Sequence, residues 1–361
     1  MPDRRTVLAG LMAVGMAPRA TWADIGNPAY LTAAMRPDGT YVLCGLTDAG
    51  EIAFELPLPA RGHAAAAHPS RPIAVAFARR PGRFALVLDC ASGEVLAQLD
   101  APMGRHFYGH GGFSADGTTL YTTENDYDAA RGVVGLWAAD YGFRRIGEFD
   151  SGGVGPHEML RLPGSDALVV ANGGIETHPE TGRAKLNLPL MQPNLTYLSA
   201  EGDVLEQVEL DRALHQNSIR HLDALPSGDV AFAMQWEGAE EETPPLLGLH
   251  RRGATSRLLA APSELQARMA GYAGSVAFAG DGETVAITSP RGGMVHVFAT
   301  RMGNFLHHLD TDDVCGLAAG VSGGSFQLTT GTGATGAWDG RGSWSPSYMS
   351  RAFDNHLVKV A

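Results

Sequence analysis

The feature that most constrains the fold is a strand–turn–strand block that recurs along the chain. Two clear copies cover residues 41–56 and 84–99, where two apolar strands flank a turn that ends in Gly-Glu. Looser copies begin at Val134, Leu195, Leu246, Val295 and Thr335. Seven copies of one small unit predict a repeat architecture, in which each unit buries its faces against its neighbours.

A second pair of strands lies between successive copies of this block. In residues 112–122 the two strands are joined by Asp116-Gly117, and an Asp-Gly turn between apolar runs is a strong hairpin signal. Four strands in a unit of about 40 to 65 residues are typical of propeller blades. The sequence therefore predicts an all-β, seven-bladed β-propeller. A sandwich or two smaller β domains are the alternatives.

The two ends of the chain predict how the ring closes. Only three strands, at residues 30–35, 41–46 and 52–58, come before the first complete unit, and residues 356–361 form one spare strand. A C-terminal strand that joins the N-terminal blade would complete that blade and hide two exposed strand edges. Neither a sandwich nor two separate domains explains both the missing strand and the spare one.

Residues 1–23 have the pattern of a twin-arginine signal peptide. Arg4-Arg5 stands before the apolar run 7–17, and the small residues Thr21 and Ala23 suit cleavage before Asp24. The run is too short to span a membrane. The alternative, a buried N-terminal helix, does not explain the paired arginines or the missing amphipathic face. We expect residues 24–361 to be a single propeller, exported already folded to the periplasm and not inserted in the membrane.

The charge of the chain excludes some partners. The net charge is −12, and it becomes −14 without residues 1–23. Such an acidic surface argues against nucleic acid and anionic membranes as partners. The three cysteines, Cys44, Cys90 and Cys315, show no CxxC spacing, and buried free thiols are predicted for them.

Histidines occupy equivalent positions in five of the seven predicted innermost strands. Aligning these strands at their starts brings into register His63, His110, His157, His221 and His356. In ring order the five are contiguous, so their imidazoles would converge at the mouth of the central channel. Converging neutral imidazoles are typical of transition-metal sites. Copper or iron fits best and zinc is an alternative, with hydrogen-bonded, hydrated structural histidines as the competing interpretation.

Further polar residues are predicted on the same face of the propeller. The second strand of each blade runs back toward the histidines, which places Glu124, Asp126 and Arg291 near the mouth, and Glu158 directly follows His157. These side chains could orient ligand histidines, or could be solvated turn residues. The insertion 174–193 is predicted to be a lid. It carries His178 as a further donor, and Cys315 is an alternative soft ligand.

Several motifs around these residues resemble a known family. They are Arg-Gly-His at 61–63, His-Phe-Tyr-Gly-His-Gly at 106–111, Gly-Pro-His-Glu at 155–158, Ser-Ile-Arg-His-Leu at 218–222 and Ser-Pro-Arg-Gly-Gly at 289–293. Together they resemble the bacterial family of twin-arginine-exported propellers known as domain of unknown function 1513, with YVTN- and WD40-like repeats. The resemblance implies the fold, the export and, as partners, exported iron-uptake proteins of the imelysin-like and di-haem peroxidase-like kinds.

Three functions are compatible with these features. The leading one is a periplasmic metal-binding propeller that serves metal acquisition or a metal-dependent redox step. The second is a scaffold for an exported iron-uptake system, in which the histidines are incidental. The third is a lactonase-like hydrolase that would use Glu124 or Glu158 with a metal-bound water. The residues leave open whether the protein is an enzyme.

Overall fold

Seven antiparallel sheets surround a central channel, which confirms the predicted seven-bladed β-propeller. The structure is a computed structural model, and it describes residues 20–79, 83–182 and 184–360. Six sheets have four strands each, and the N-terminal sheet combines three strands from the start of the chain with two short ones from its end. No helix in the described part of the chain is long and apolar enough to cross a membrane.

The strands follow one another in the order of the repeats. The first three blades contain β1 (Tyr30–Met35), β2 (Tyr41–Leu46), β3 (Ile52–Leu58); β4 (Gly62–Ala67), β5 (Ile73–Ala78), β6 (Ala85–Asp89), β7 (Val95–Leu99); β8 (Arg105–Phe113), β9 (Thr119–Asp126), β10 (Arg131–Ala138), β11 (Arg144–Asp150). Blades four and five contain β12 (Pro156–Arg161), β13 (Leu168–Asn172), β14 (Asn194–Leu198), β15 (Val204–Glu209); β16 (Asn217–Ala224), β17 (Asp229–Trp236), β18 (Leu247–Arg251), β19 (Arg257–Leu259).

The last two blades and the closing segment complete the ring. They contain β20 (Ser275–Phe278), β21 (Thr284–Ser289), β22 (Met294–Ala299), β23 (Phe305–Asp310); β24 (Val314–Ala319), β25 (Phe326–Thr330), β26 (Ala334–Trp338), β27 (Ser347–Tyr348); β28 (Ala352–Phe353), β29 (Val358–Lys359). The helical elements described are α1 (Ser263–Arg268) and the 3₁₀ turns Trp22–Ile25, Ala139–Tyr141, Pro179–Thr181, Leu188–Leu190 and Arg212–Leu214.

The sequence of each strand reflects its place in the blade. Second strands are covered on both sides, so most of their residues are buried; in β5 all six, Ile-Ala-Val-Ala-Phe-Ala, are both apolar and buried. Outermost strands such as β7 and β15 are largely exposed. Between blades the core is made of interdigitating side chains, and Phe77, Phe107 and Trp137 join blades two and three in this way. This packing leaves the innermost strands to line the channel.

The ring closes through the C-terminus, although not by one continuous strand. The predicted strand 356–361 is replaced by two short strands, β28 and β29, which both pair antiparallel with β1. Residues between them leave the ladder, and His356 lies in this gap. β29 also contacts the neighbouring inner strands β4 and β24. The innermost strands of the seven blades therefore form a closed ring.

A charged clamp holds the closing segment to the first blade. Glu55 on β3 accepts hydrogen bonds from Arg351 at 2.6 and 3.0 Å and from Arg36 at 2.8 Å. The hydrogen bonds from Arg351 are the main cause that lowers the pKa of Glu55 to about 2. A bidentate arginine–carboxylate pair of this kind is stronger than a single contact between exposed charges.

This clamp predicts how stability depends on pH. Because the pKa of Glu55 in the folded protein lies below its ordinary value of 4.5, its contribution to the free energy of unfolding is complete above pH 4.5. It is lost as the pH falls from there to about 2. We expect Glu55→Gln to lower the melting temperature at pH 7 and to differ less from wild type at lower pH. The exposed Glu51→Gln is the control, and a pH-independent difference would contradict the prediction.

The predicted signal peptide lies outside the described residues except for its last four. Within these four, Trp22 is buried, and its indole Nε1 donates a hydrogen bond to the carbonyl oxygen of His68 at 2.8 Å. Its ring belongs to the apolar cluster shared by blades one and two, together with Leu31 and Leu43. Cleavage before Asp24 stays a prediction, and a cut at that position would remove a core side chain from the propeller.

The burial of Trp22 can be tested with chains that begin at different residues. We expect a chain that begins at Ala20 to melt at a higher temperature than one that begins at Asp24. Trp22→Ala in the longer chain should lower the free energy of unfolding by about 3–5 kcal/mol, the usual effect of truncating a buried Trp. Denaturant unfolding gives the free energies. Equal stabilities of the two chains would show that Trp22 does not pack against the folded domain.

Candidate metal centre

Local irregularities in the inner strands direct five histidines into the channel. In β4, β8, β12 and β16 the pairing register shifts at or beside the histidine, between Gly62 and Ala65, Phe107 and Gly111, Pro156 and Glu158, and Ile219 and His221. Bulges of this kind re-aim side chains. β20 pairs in regular register and has no histidine. The fifth histidine, His356, lies in the gap of the closing segment.

The bulge in β8 requires a glycine. Gly109 has a φ of +102°, a conformation that side chains disfavour. A Cβ at this position would also lie 2.7 Å from the ring of His63. Gly109 therefore both shapes the bulge that presents His110 and leaves room for the neighbouring histidine.

The five imidazoles form one compact cluster. Ring centroids are 4.4 Å apart for His63 and His356, 4.5 Å for His110 and His356, and 4.8 Å for both His157–His221 and His221–His356. His110 lies at the centre, within 4.9 Å of both His63 and His157. The structure thus brings together all five histidines that the sequence alignment selected.

The donor atoms converge closely enough for metal binding. In each of two groups, the nitrogens of three histidines lie within 4.8 Å of one another, and the groups are His63, His110, His157 and His110, His221, His356. The Nε2 atoms of His63 and His110 are 3.3 Å apart. Two imidazoles bound to one ion at about 2.0 Å in tetrahedral geometry would have nitrogens about 3.3 Å apart. His110 belongs to both groups and is therefore the key donor.

Burial keeps these histidines neutral. Desolvation is the largest cause that lowers the pKa of all five, strongly for His110, His157 and His356 and to about 3 for His221. Neighbouring histidines lower the pKa of His110 further. A neutral imidazole has a free lone pair on one nitrogen, which is the form that coordinates a metal.

Several ring nitrogens have no partner within the described chain. The buried Nδ1 of His157 and Nε2 of His356 have no hydrogen bond to any described residue. Buried polar atoms are almost always hydrogen-bonded, so each exception calls for an explanation such as an ion. The all-imidazole donor set also fits a transition metal. The residues present therefore fit a metal ion.

Two carboxylates lie behind the histidines on the side away from the cluster centre. Glu158 is 3.3 Å from Nδ1 of His221 and 3.7 Å from Nδ1 of His110. Asp354 is 3.8 Å from Nδ1 of His63, longer than a hydrogen bond. A carboxylate behind a ligand histidine fixes its tautomer and raises its basicity. In His63, His110 and His221, Nδ1 thus faces a carboxylate, which leaves their Nε2 atoms for an ion.

The two carboxylates have opposite electrostatic environments. Burial raises the pKa of Glu158 to about 8, and the hydrogen bond from the backbone N–H of Leu222 opposes this only in part. Burial also acts to raise the pKa of Asp354, but His63, Arg79 and Arg61 outweigh it and hold it far below the ordinary value. Sequence reasoning missed Asp354, whose only signal is its position two residues before His356.

Two of the predicted orienting residues form ion pairs with arginines of blade three. Glu124 is fully buried inside blade three, where it accepts hydrogen bonds from Thr122 at 2.8 Å and from Arg145 at 2.6 and 3.0 Å. Asp126 pairs with Arg105 and Arg131 at the end of the same blade. Both carboxylates are thus paired within their blade, and a role in orienting ligand histidines stays a prediction.

The predicted additional donors also lie away from the cluster. His178 packs edge-on against Tyr127 and lies 3.5 Å from Asp128, at the rim. The thiol of Cys315 is buried against the carbonyl oxygens of Phe353 and Asp354 at 3.4 and 3.3 Å, and burial raises its pKa. Neither belongs to the two donor groups. All three cysteines are free and buried, as predicted.

The insertion 174–193 does lie over the mouth side of the blades. The backbone oxygen of Thr177 accepts a hydrogen bond from Asn125 at 3.0 Å, and Lys185 forms an ion pair with Glu237. Glu237 also binds Arg220, next to His221, at 3.2 Å. The insertion therefore bridges blades three and five beside the histidine cluster.

Comparison with known proteins agrees with the fold and identifies the family. A chain of hydrazine synthase from Kuenenia stuttgartiensis is similar over 88% of this chain and 95% of its own length, with a TM-score of 0.58 and 14% sequence identity. At that identity the similarity shows the fold alone. No curated protein sequence is significantly similar. The profile of the family described as "Protein of unknown function (DUF1513)" matches residues 56–360, so the chain belongs to this family.

Proposed function

We propose that the protein is a periplasmic metal-binding propeller that holds one transition-metal ion, copper or iron, in the histidine cluster. The observation that carries this proposal is the convergence of His63, His110, His157, His221 and His356, with two three-histidine groups whose donor nitrogens lie within 4.8 Å. The ion would serve metal acquisition or a metal-dependent redox step.

The environment of the cluster supports a bound ion over a purely structural role. The imidazoles are buried and neutral, three of their nitrogens are unpartnered among the described residues, and carboxylates lie behind three of the rings. Water alone could satisfy isolated nitrogens. The Nε2 atoms of His63 and His110 are 3.3 Å apart, a separation that fits two ligands of one ion as well as a hydrogen bond between the two imidazoles.

Metal content is the direct test of this proposal. We expect protein purified from its native periplasm to contain about one equivalent of copper or iron by elemental analysis. The metal-free protein should bind Cu(II), Fe(II) and Zn(II), and affinity should be highest for copper in any nitrogen site. The metal content of the natively purified protein, and not the order of affinities, therefore identifies the ion. Absence of metal from the native protein, together with no uptake in titrations, would refute the proposal.

Glu158 is expected to strengthen metal binding without being a ligand. We predict that Glu158→Gln weakens metal affinity about 10- to 100-fold. In this variant His221 and His110 lose the carboxyl group behind their Nδ1 atoms, which can become an anionic hydrogen-bond acceptor. Competition titrations with a chromophoric chelator measure the change. Glu209→Gln, on the exposed outer strand β15 of the same blade, is the control. An unchanged affinity would show that Glu158 does not act on the ion.

The other functions remain less well supported. Glu124, a candidate acid for a lactonase-like reaction, forms an ion pair with Arg145 inside its blade. The scaffold function and the imelysin-like or di-haem peroxidase-like partners stay predictions. Substitution of the histidines would separate the scaffold from the metal site, because partner capture should survive it.

A further inference from the structure

A small chamber with a basic lining covers the histidine cluster. Its volume is about 120 Å³, and its lining includes three of the five histidines together with Arg79, Arg220, Tyr272 and Asn355. Besides the histidines, the lining has two arginines and no carboxylate. A volume of this size corresponds to about four water molecules in the liquid. The chamber therefore suits a small ligand that accepts hydrogen bonds.

Arg220 contributes to this lining a buried donor that no described residue accepts. One end of its guanidinium is 3.2 Å from Glu237, while its buried Nε has no partner among the described residues. Only 13% of the side chain is exposed. A buried donor without an acceptor is unfavourable, and a guanidinium offers five N–H groups in a fixed fork. An anion in the chamber would satisfy it.

The positively charged Arg220 lies beside the cluster. It directly precedes His221 in β16, and both side chains line the chamber. On the other side of the chamber Arg79 binds Asp354 at 2.9 Å. The hydroxyl of Tyr272 accepts a hydrogen bond from Asn355 at 3.3 Å, and the guanidinium of Arg291 lies 4.5 Å from the ring of Tyr272. Cationic and donor groups thus surround the open side of the cluster.

We propose that this chamber binds a small anion, a carboxylate or an inorganic oxyanion, between Arg220 and the metal ion held by the histidines. The inference deepens the proposed function and rests on it, since the ion supplies the second contact. Charge-assisted hydrogen bonds from a planar arginine fork favour such ligands. The site then has two parts: histidines that select the metal, and Arg220 that selects an anionic ligand.

Formate and formamide provide a matched pair of probes for this site. They have the same size, and only formate is an anion. With the Cu(II)-loaded protein we expect formate to change the electron paramagnetic resonance spectrum of copper and formamide not to. Arg220→Gln should weaken formate binding about tenfold or more, as loss of a charge-assisted hydrogen bond does. The variant should keep its copper, because Glu237 retains Lys185 as a partner.

Controls separate this inference from the proposed function. Arg144→Gln, exposed at the start of the outermost strand β11, should bind formate like wild type. Arg220→Lys keeps the positive charge but lacks the planar guanidinium, so it should bind formate with intermediate affinity. Wild-type affinity of this variant for formate would exclude a role of Nε. If copper binds but formate and formamide behave alike, or if Arg220→Gln changes nothing, the anion site is wrong and the metal site stands. If no metal binds, both proposals fail.

Discussion

His110→Ala is expected to abolish high-affinity metal binding. His110 is the one histidine shared by the two donor groups, and its ring lies within 6.0 Å of each of the other four. Residues that only orient a ligand typically change metal affinity 10- to 100-fold. Removal of the ligand itself should exceed this, so we expect a loss of at least about 100-fold. Competition titration and metal analysis of the purified variant measure it.

The same experiment needs controls for folding and for histidine content. His308→Ala removes an exposed histidine from the outer strand β23 and should leave affinity unchanged. His110→Gln keeps most of the side-chain volume and should also lose the metal, while its melting temperature shows that the blade is intact. If both variants of His110 bound metal like wild type, the histidine cluster would be a structural, hydrated lining of the channel.

Much of the fold could be predicted because the same pattern of strands and turns occurs in several repeats. The Asp-Gly turns and the mostly buried second strands depend on local chemistry, which recurs in several blades. The split of the closing strand into β28 and β29 could not be predicted, because it depends on how His356 leaves the ladder to reach the channel. A pattern of apolar residues does not show where pairing is interrupted.

The candidate site also has residues that could be predicted from the sequence and residues that could not. The five histidines could be aligned because they occupy equivalent positions in repeated units. The pairing of Glu124 could not be predicted, because sequence shows that a residue lies near a strand end, but not that Arg145, two strands further on, forms an ion pair with it. Asp354 was missed because its contacts with Arg61 and Arg79 cross from one blade to the next, and Arg220 because sequence does not show that its Nε lacks a partner. The bulges that aim the histidines become visible only from the pairing register.

Removal of the closing segment should damage the fold and the metal site together. A chain that ends at Asp354 lacks His356 and the buried Leu357 and Val360, and it leaves β1 without its partner β29. Losing two buried aliphatic side chains should alone lower the free energy of unfolding by roughly 4 kcal/mol or more. The exposed strand edge should also promote association between chains. Thermal melts and light scattering test these effects.

His356→Ala separates the two roles of the closing segment. This variant keeps the pairing of β28 and β29 with β1 and the apolar contacts of Leu357, so it should melt close to wild type. It should still bind metal far more weakly, because the group formed by His110, His221 and His356 is incomplete. Unchanged metal affinity in His356→Ala would limit the site to His63, His110 and His157. Unchanged stability of the truncated chain would mean that the ring is held by blade packing alone, without the C-terminal strands.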